Sequence, residues 1–356
     1  MSNTIAAEKP KVSIIIPVRN EERYIVSFLE TLFNQDYPHD KIEVIIADGM
    51  SNDSTRYRIE HFLNGKNSVK VKVIDNPGQI VPEGLNRALA MCGNEIIIRM
   101  DAHAFFPANY ISRLVDEMDK YNADNIGGVI RTLPSSNSLF SKAIAAAMSS
   151  AFGMGNSRFR VGTTRVCRVD TVPFGCFKAD VFEKAGGFDE ELVRNQDDEF
   201  NGRITKKGFN VVLLPDLVID YYARDSIKKT ALMFFQYGLF KPLCVKKLKR
   251  IATFRQLVPP LFVFSILISL LVIFFIPQFI ILFISVFGLY FFVSVAISIL
   301  LSQKDKSSLV NRIKLLCALV VTFFVIHFSY GLGYLQGIIS LVFNRKRLFA
   351  TKSVNR

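Results

Sequence analysis

Val12-Ser13-Ile14-Ile15-Ile16-Pro17-Val18, followed at once by Arg19-Asn20-Glu21-Glu22, is the stretch on which the fold turns. A short, unbroken, β-branched apolar run reads as a strand buried on both faces, the kind that parallel sheets use. The same pattern returns at residues 42–47, 69–74 and 95–100. Between these runs the spacing predicts helices: one from Arg19 through Asn34, one after the polar turn Ser51-Asn52-Asp53-Ser54, and one over 83–91. Strands alternating with helices imply an α/β, Rossmann-like, mostly parallel sheet with helices on both faces.

Sheets of this kind bind ligands outside the carboxyl ends of their strands. Three polar clusters stand at those ends: residues 19–22, 48–53 and 101–103. They are distant in sequence and are expected to converge. Asp101-Ala102-His103 pairs a carboxylate with an imidazole two residues away, a donor set that suits a small divalent cation, borderline Mn²⁺ more than Mg²⁺. Taken alone, a loop Asp and a loop His are more often solvated bystanders.

The net charge is +13, which at first points to nucleic acid. Its location argues against that partner. Lys241, Lys246, Lys247, Lys249, Arg250 and Arg255 precede a long apolar run. Lys304, Asp305, Lys306, Arg312 and Lys314 lie between two such runs, and Arg345, Lys346, Arg347, Lys352 and Arg356 follow the last. These groups carry six, three and five positive charges, which leaves about −1 for residues 1–240 by difference. Residues 257–302 and 315–343 contain no Asp, Glu, Lys or Arg. Both exceed the ~20 apolar residues that cross a bilayer, and basic flanks of this kind face anionic lipid on the cytoplasmic side. The polar opening up to Lys11 has no signal-peptide pattern.

The expected organisation is a cytosolic catalytic domain over 1–225, basic amphipathic interfacial helices over 226–256, and a transmembrane region over 257–343. The apolar segments of that region fall at about 257–276, 279–301 and 315–343, and a basic tail follows at 344–356. As one straight helix the last segment would extend ~43 Å, longer than the ~30 Å hydrocarbon core. Three crossings would also put the basic tail outside, whereas a break at Tyr330-Gly331-Leu332-Gly333 would relieve the conflict. Both readings stand. Gly333 and Gly337 form a GxxxG that permits close helix packing. Residues 138–153 read as a small-residue amphipathic helix, either on the membrane surface or packed on the sheet. Five cysteines without a CxxC read as reduced packing residues.

VSIIIPVRNEE (12–22), IIADGMSNDST (45–55), IRMDAHA (98–104) and NQDDEFNGRI (195–204), in this order, resemble a family-2 glycosyltransferase with the GT-A fold over about residues 11–245. DAHA, VDTVPFGCF, VRNQDDEF and the apolar C-terminus look most like the branch with succinoglycan-biosynthesis glucosyltransferases. The resemblance implies that Pro17, Glu21, Asp48 and Asp101 bind the nucleotide, with Asp48 accepting from the base. It places Asp101 and His103 at the Asp-x-Asp metal site, His103 standing in for the second Asp. Asp197 aligns with the catalytic base, with its neighbour Asp198 as the competing carboxylate and Gln196 where Glu is commoner. Arg165, Gln236, Phe240 and Lys241 fall on the acceptor or diphosphate side. Gln236-Tyr237-Gly238-Leu239-Phe240 departs from the Gln-x-x-Arg-Trp of processive synthases at both its last residues.

The chemistry agrees with these roles. Adjacent carboxylates at 197–199 can shift one another toward a working general base, although acids also simply favour a helix N-terminus. A divalent cation, Mn²⁺ or Mg²⁺, would stabilise the charge on a departing diphosphate. The implied activity is inverting transfer of a hexose, glucose-type, from a UDP-sugar to a lipid-linked saccharide of polyprenyl diphosphate type. The setting is bacterial exopolysaccharide or cell-surface glycan assembly, at a multi-pass inner-membrane protein whose catalytic domain faces the cytosol. Membrane lipids are further partners, and an oligomer is compatible with the sequence. The alternatives are a small processive polysaccharide synthase and a non-catalytic scaffold of a polysaccharide-assembly complex.

Overall fold

The protein is described here from a computed structural model, over residues 8–249 and 253–343. The basic tail at 344–356 and Arg250 lie outside the described residues. The chain forms two compact units, one from residues 8–130 and 163–220, the other from 131–162 and 221–343.

Among the described residues nine strands build one sheet: β1 Val12–Val18, β2 Ile42–Asp48, β3 Lys70–Asp75, β4 Ile96–Arg99, β5 Ala104–Phe105, β6 Asn125–Leu133, β7 Cys167–Arg168, β8 Cys176–Lys178 and β9 Val211–Tyr222. Their order is β3-β2-β1-β4-β8-β6-β9-β5, with β7 paired to β9. The first four strands are parallel to one another, in the registers Val18↔Asp48, Asp48↔Asp75 and Ile15↔Arg99. β8 runs antiparallel to both β4 and β6, so the sheet is mixed beyond β4. Every residue of β1 is buried. With β2 and β4 on its edges and helices over its faces, its apolar run contributes about 1.5–3 kcal/mol for each large side chain buried. Helix Val81–Leu89 lies against β1 and β2 through Leu85 and Ala88. At Gly84 a Cβ would stand 3.4 Å from that of Ala47 and 2.8 Å from Asn76 Nδ2.

The parallel registers set the ends of β1 and β2 level, and Arg99 at the end of β4 pairs with Ile15, so the residues after β4 pass beside the end of β1. Three turns therefore emerge side by side, and this positions the site.

The second unit is helical. Helices Phe254–Ile273, Phe279–Ser302 and Leu309–Val342 are long and apolar enough to cross a membrane. Their exposed side chains are large and apolar, Phe264, Leu271, Ile281, Leu289 and Phe292 among them. Helix Leu309–Val342 has 34 residues and runs unbroken through Tyr330–Gly333, a length of about 51 Å. Within residues 226–256 a continuous helix, Ile227–Leu248, is followed by the start of the short helix Phe254–Leu257. Helix Ile227–Leu248 packs tightly against Leu309–Val342, because both partners offer glycines at the seam. A Cβ on Gly238 would overlap the Tyr330 carbonyl, one on Gly333 the Phe235 carbonyl, and one on Gly337 the Leu239 carbonyl. The GxxxG thus serves this helix pair by close backbone approach.

Helix Leu139–Met148 and the short helix Ala151–Met154 complete the unit. Ala143, Ile144, Ala147 and Met148 enter one core with Phe234, Leu319, Phe323 and Ile326. His327 ties this segment down. The Phe152 carbonyl can only accept, so His327 Nε2–H donates to it at 2.8 Å, and Nδ1 then accepts from the Tyr290 hydroxyl at 2.9 Å.

Candidate active site

The turns after β1 and β2 are laced together by side-chain-to-backbone bonds. Asn20 N–H donates to Ser51 Oγ at 2.9 Å, Glu21 N–H to Thr55 Oγ1 at 2.7 Å, and Glu22 N–H to Asp53 Oδ2 at 3.2 Å. In return Asn52 N–H donates to Asn20 Oδ1 at 3.0 Å and Ser54 N–H to Glu22 Oε2 at 3.1 Å. These bonds satisfy turn donors that no strand partner reaches. Burial pushes the Asp53 carboxyl up, but bonds from Thr55 and the Glu22 backbone outweigh it and hold Asp53 below its ordinary value.

Asp48 ends β2 and is buried. Its Oδ1 accepts from Ser51 N–H at 3.2 Å and Ser51 Oγ–H at 2.6 Å, and Arg56 Nε stands 3.3 Å from Oδ2. Arg56 also pairs with Asp75, at the end of β3. Pro17 sits one register step before Asp48, opposite Ala47.

Asp101 and His103 follow β4. Asp101 Oδ1 lies 2.7 Å from His103 Nδ1, and Glu21 Oε1 approaches the same nitrogen at 3.5 Å. All three side chains are buried. The parallel pairing of β1 with β4 makes Glu21 a neighbour of this pair, a contact not anticipated from sequence. Among the described residues no group of three or more His, Cys, Asp or Glu is disposed around a metal ion. The donors present are therefore an incomplete set, one imidazole and the carboxylates beside it. That set fits a cation whose other ligands come from a diphosphate and water.

Asp197 lies in the first turn of helix Gln196–Lys206, whose N-cap Asn195 adopts a left-handed conformation at φ 63°. It forms an ion pair with Arg99, the last residue of β4 and 98 positions away. Arg99 is 7% exposed at its side chain and Asp197 32%, so the pair is buried at one end and wet at the other. The Phe174 ring lies 5.9 Å from the Arg99 guanidinium carbon. Asn201 supports the turn, donating to the Asp197 carbonyl at 2.9 Å and Thr171 Oγ1 at 3.0 Å and accepting from Asn125 Nδ2 at 2.6 Å. Glu199 has a different task. Arg203 grips it with two parallel bonds of 2.9 Å and also donates to the carbonyls of Ala185 and Gly187. Of the three adjacent acids, Glu199 is thus held inward, while Asp197 and Asp198 are partly exposed.

Positive φ at non-glycine residues gathers at these strand ends: Asn20 after β1, Met50 after β2, Gln79 after β3, Phe174 before β8, and Asn195. Each such residue costs on the order of 1 kcal/mol or more, and strain of this kind concentrates at functional sites.

Arg165 lies on an exposed stretch before β7. Gln236, Phe240 and Lys241 belong to the second unit, buried in helix Ile227–Leu248. They share no unit with the acids. Sequence reading missed Arg99, Asn125 and Asn201. The signal available for Arg99 was a lone charge closing a strand of isoleucines.

A parallel βαβ half-sheet with acids at its strand ends, continued by an antiparallel β8, defines a GT-A-type α/β protein. The model of the family "Glycosyl transferase family 2" matches residues 13–184. Succinoglycan biosynthesis protein ExoA of Rhizobium meliloti is 30% identical over 69% of this chain and 73% of its own length. A dolichyl N-acetyl-alpha-D-glucosaminyl phosphate 3-beta-D-2,3-diacetamido-2,3-dideoxy-beta-D-glucuronosyltransferase of Methanococcus voltae is 29% identical over 66% of this chain and 74% of its own. A mannosyltransferase from Pyrobaculum calidifontis, solved with GDP-Man and Mn²⁺, shares the fold at TM-score 0.55 and 16% identity, covering 95% of this chain and 89% of that one. The chain belongs to the family 2 glycosyltransferases.

Proposed function

We propose that this chain is a membrane-anchored, inverting hexosyltransferase. It moves a hexose, glucose-type, from a UDP-sugar to a lipid-linked saccharide in exopolysaccharide or cell-surface glycan assembly. The observation that carries the reading is the Asp197–Arg99 pair. Of the two partly exposed carboxylates, Asp197 is held at a helix start by a buried guanidinium, while Glu199 is locked to Arg203. A base positioned in this way suits direct displacement, in which the acceptor hydroxyl loses its proton to Asp197 as it attacks. One displacement inverts the sugar carbon.

Pro17, Glu21 and Asp48 line the nucleoside side in this reading, with Asp101 beside the diphosphate. Asp101 and His103 would hold Mn²⁺ or Mg²⁺, which supplies charge stabilisation to the departing diphosphate. Arg165 and Lys241 are assigned to the diphosphate side, Gln236 and Phe240 to the acceptor. Residues 1–225 form the catalytic domain on the cytosolic side, 226–256 its basic connection to the membrane, and 257–343 the anchor. A lipid-borne acceptor accords with the apolar helices and with the dolichyl-linked acceptor named for the Methanococcus relative.

The test is a panel of UDP- and GDP-sugars offered to the purified chain in detergent, with and without Mn²⁺, read as donor hydrolysis and as transfer to lipid extract. Asp197→Asn is expected to abolish transfer and to spare donor binding. Substantial residual transfer would remove Asp197 from its role.

A further inference from the structure

Asp48 and Asp75 close neighbouring strands and are register partners, so two carboxylates stand side by side at the carboxyl end of the sheet. Like charges so placed repel. Arg56, in helix Thr55–Leu63, relieves this by spanning both. Its Nη2 pairs with Asp75 Oδ1, and its Nε stands 3.3 Å from Asp48 Oδ2. The second contact is one of charge alone, because the Nε–H has no hydrogen-bond partner. As a stabilising bridge this is poor, since one of its two contacts is misaligned.

Nε and Nη2 share one edge of the guanidinium, and the carboxylates occupy that edge. Nη1 lies on the other side, reached by solvent and by no acceptor among the described residues. Exposure rises outward: the Asp48 side chain is 2% exposed, Arg56 41% and Asp75 59%. The guanidinium therefore stands between a buried acid and solvent, with donors to spare. Its place is the carboxyl end of β2 and β3, where sheets of this kind bind ligands. Two carboxylates against one guanidinium leave the cluster at −1, which disfavours a phosphate and favours a neutral acceptor such as a ring carbonyl. Met50, two residues beyond Asp48, is 46% exposed and strained at φ 54°. An exposed apolar side chain beside a free N–H donor matches a flat ring with an apolar face and a polar edge.

We propose that Arg56 reads the nucleobase of the sugar donor, giving an Nη1–H to a ring carbonyl while Asp48 and Asp75 hold the guanidinium in place. The inference rests on the nucleotide-sugar reading above and adds the specificity-determining residue of its nucleoside side. It selects a base with a ring carbonyl, uracil or guanine, against adenine, which has none.

The full chain in detergent with Mn²⁺ is titrated with UDP, 2-thio-UDP, 4-thio-UDP, ADP, GDP and inorganic pyrophosphate, with binding read by calorimetry. Sulfur accepts hydrogen bonds more weakly than oxygen, so each thio analogue weakens one carbonyl. The parent chain is expected to bind UDP about 10-fold more tightly than ADP and than one of the thio analogues, as loss of one charge-assisted bond does. Arg56→Met is expected to weaken UDP about 10-fold, to bind UDP and the thio analogues alike, and to leave pyrophosphate unchanged. Arg56→Lys keeps the charge, loses the planar fork and should fall between. Because Asp48 and Asp75 repel once Arg56 is gone, a double variant, Arg56→Met with Asp75→Asn, is measured beside it and should show the same loss of discrimination. A parent chain that binds the three uridine nucleotides alike, or an Arg56→Met chain that still tells them apart, overturns the assignment. UDP and pyrophosphate affinities that fall together make Arg56 a structural residue and overturn it too. A parent chain that binds GDP and not UDP instead overturns the UDP reading, and 6-thio-GDP then decides Arg56 by the same comparison. A parent chain that binds no nucleotide overturns both. No readout requires transfer to an acceptor.

Discussion

The Arg99–Asp197 pair makes an asymmetric prediction. Arg99 is nearly enclosed, and Asp197 is about a third open to water. Asp197→Ala strands a buried guanidinium. Breaking a fully buried pair from one side costs about 3–5 kcal/mol, and discounting for the wet end of this one brings the figure to about 2 kcal/mol. Arg99→Met keeps most of the aliphatic volume and leaves a carboxylate that water still reaches, at a cost of about 1 kcal/mol or less. For a unit of this size 1 kcal/mol corresponds to roughly 2–4 °C. Asp197→Ala should therefore lower the melting temperature by about 4–8 °C, and Arg99→Met by no more than about 4 °C. The double variant should recover part of the Asp197→Ala loss, because the stranded charge is gone. Differential scanning fluorimetry of the four proteins in one detergent measures this as a double-mutant cycle. Both single variants should lose transfer, Asp197→Ala as the base and Arg99→Met through a mispositioned base. Equal losses of stability, or a double variant no more stable than Asp197→Ala, would refute the argument.

Gly333→Leu should fail to assemble the helical unit or melt far below the parent, since its side chain must enter the Phe235 backbone, whereas Gly288→Leu, with nothing within 4 Å of its Cβ position, should be neutral by thermal melt. His103→Ala should abolish any rise in melting temperature that Mn²⁺ produces in the presence of UDP, while leaving the metal-free melt within about 1 kcal/mol of the parent; a Mn²⁺ response unchanged from the parent counts against the metal role. Because the folded-state Asp53 carboxyl lies below its ordinary value of 3.8, its contribution is present above that pH and is lost as pH falls through the lowered value. An acid titration of Asp53→Asn should accordingly be flatter below pH 4 than that of the parent, and identical curves would show that the hydrogen bonds at Asp53 carry no linkage.

The first four strands were legible because each is an apolar run buried on both faces, and observed bounds differ from the expected ones by a residue at most. The strand-end acids were legible for the same reason, since a polar residue closing such a run has few places to go. Asp197, Asp198 and Glu199 were a harder case. One sequence stretch holds three carboxylates, and only the partners tell them apart: Arg203 four residues on for Glu199, and Arg99 far back in the chain for Asp197. The last apolar segment shows the same division. Its GxxxG was visible, but glycine alone permits either a break or a close contact. The continuous helix and its seam with Ile227–Leu248 show which occurs here.

By itself the sequence determined what short-range physics dictates. Buried strands must be apolar, turns must be polar, bilayer-length helices must lack charge, and the excess of positive charge gathers at their flanks. Only the tertiary structure decided which charged groups meet. It set His103 beside Asp101 and Glu21 and gave Arg99 to Asp197. Electrostatic partners are chosen by distance in space, and the local pattern of a chain carries no information about that distance until the sheet register and helix packing have set it.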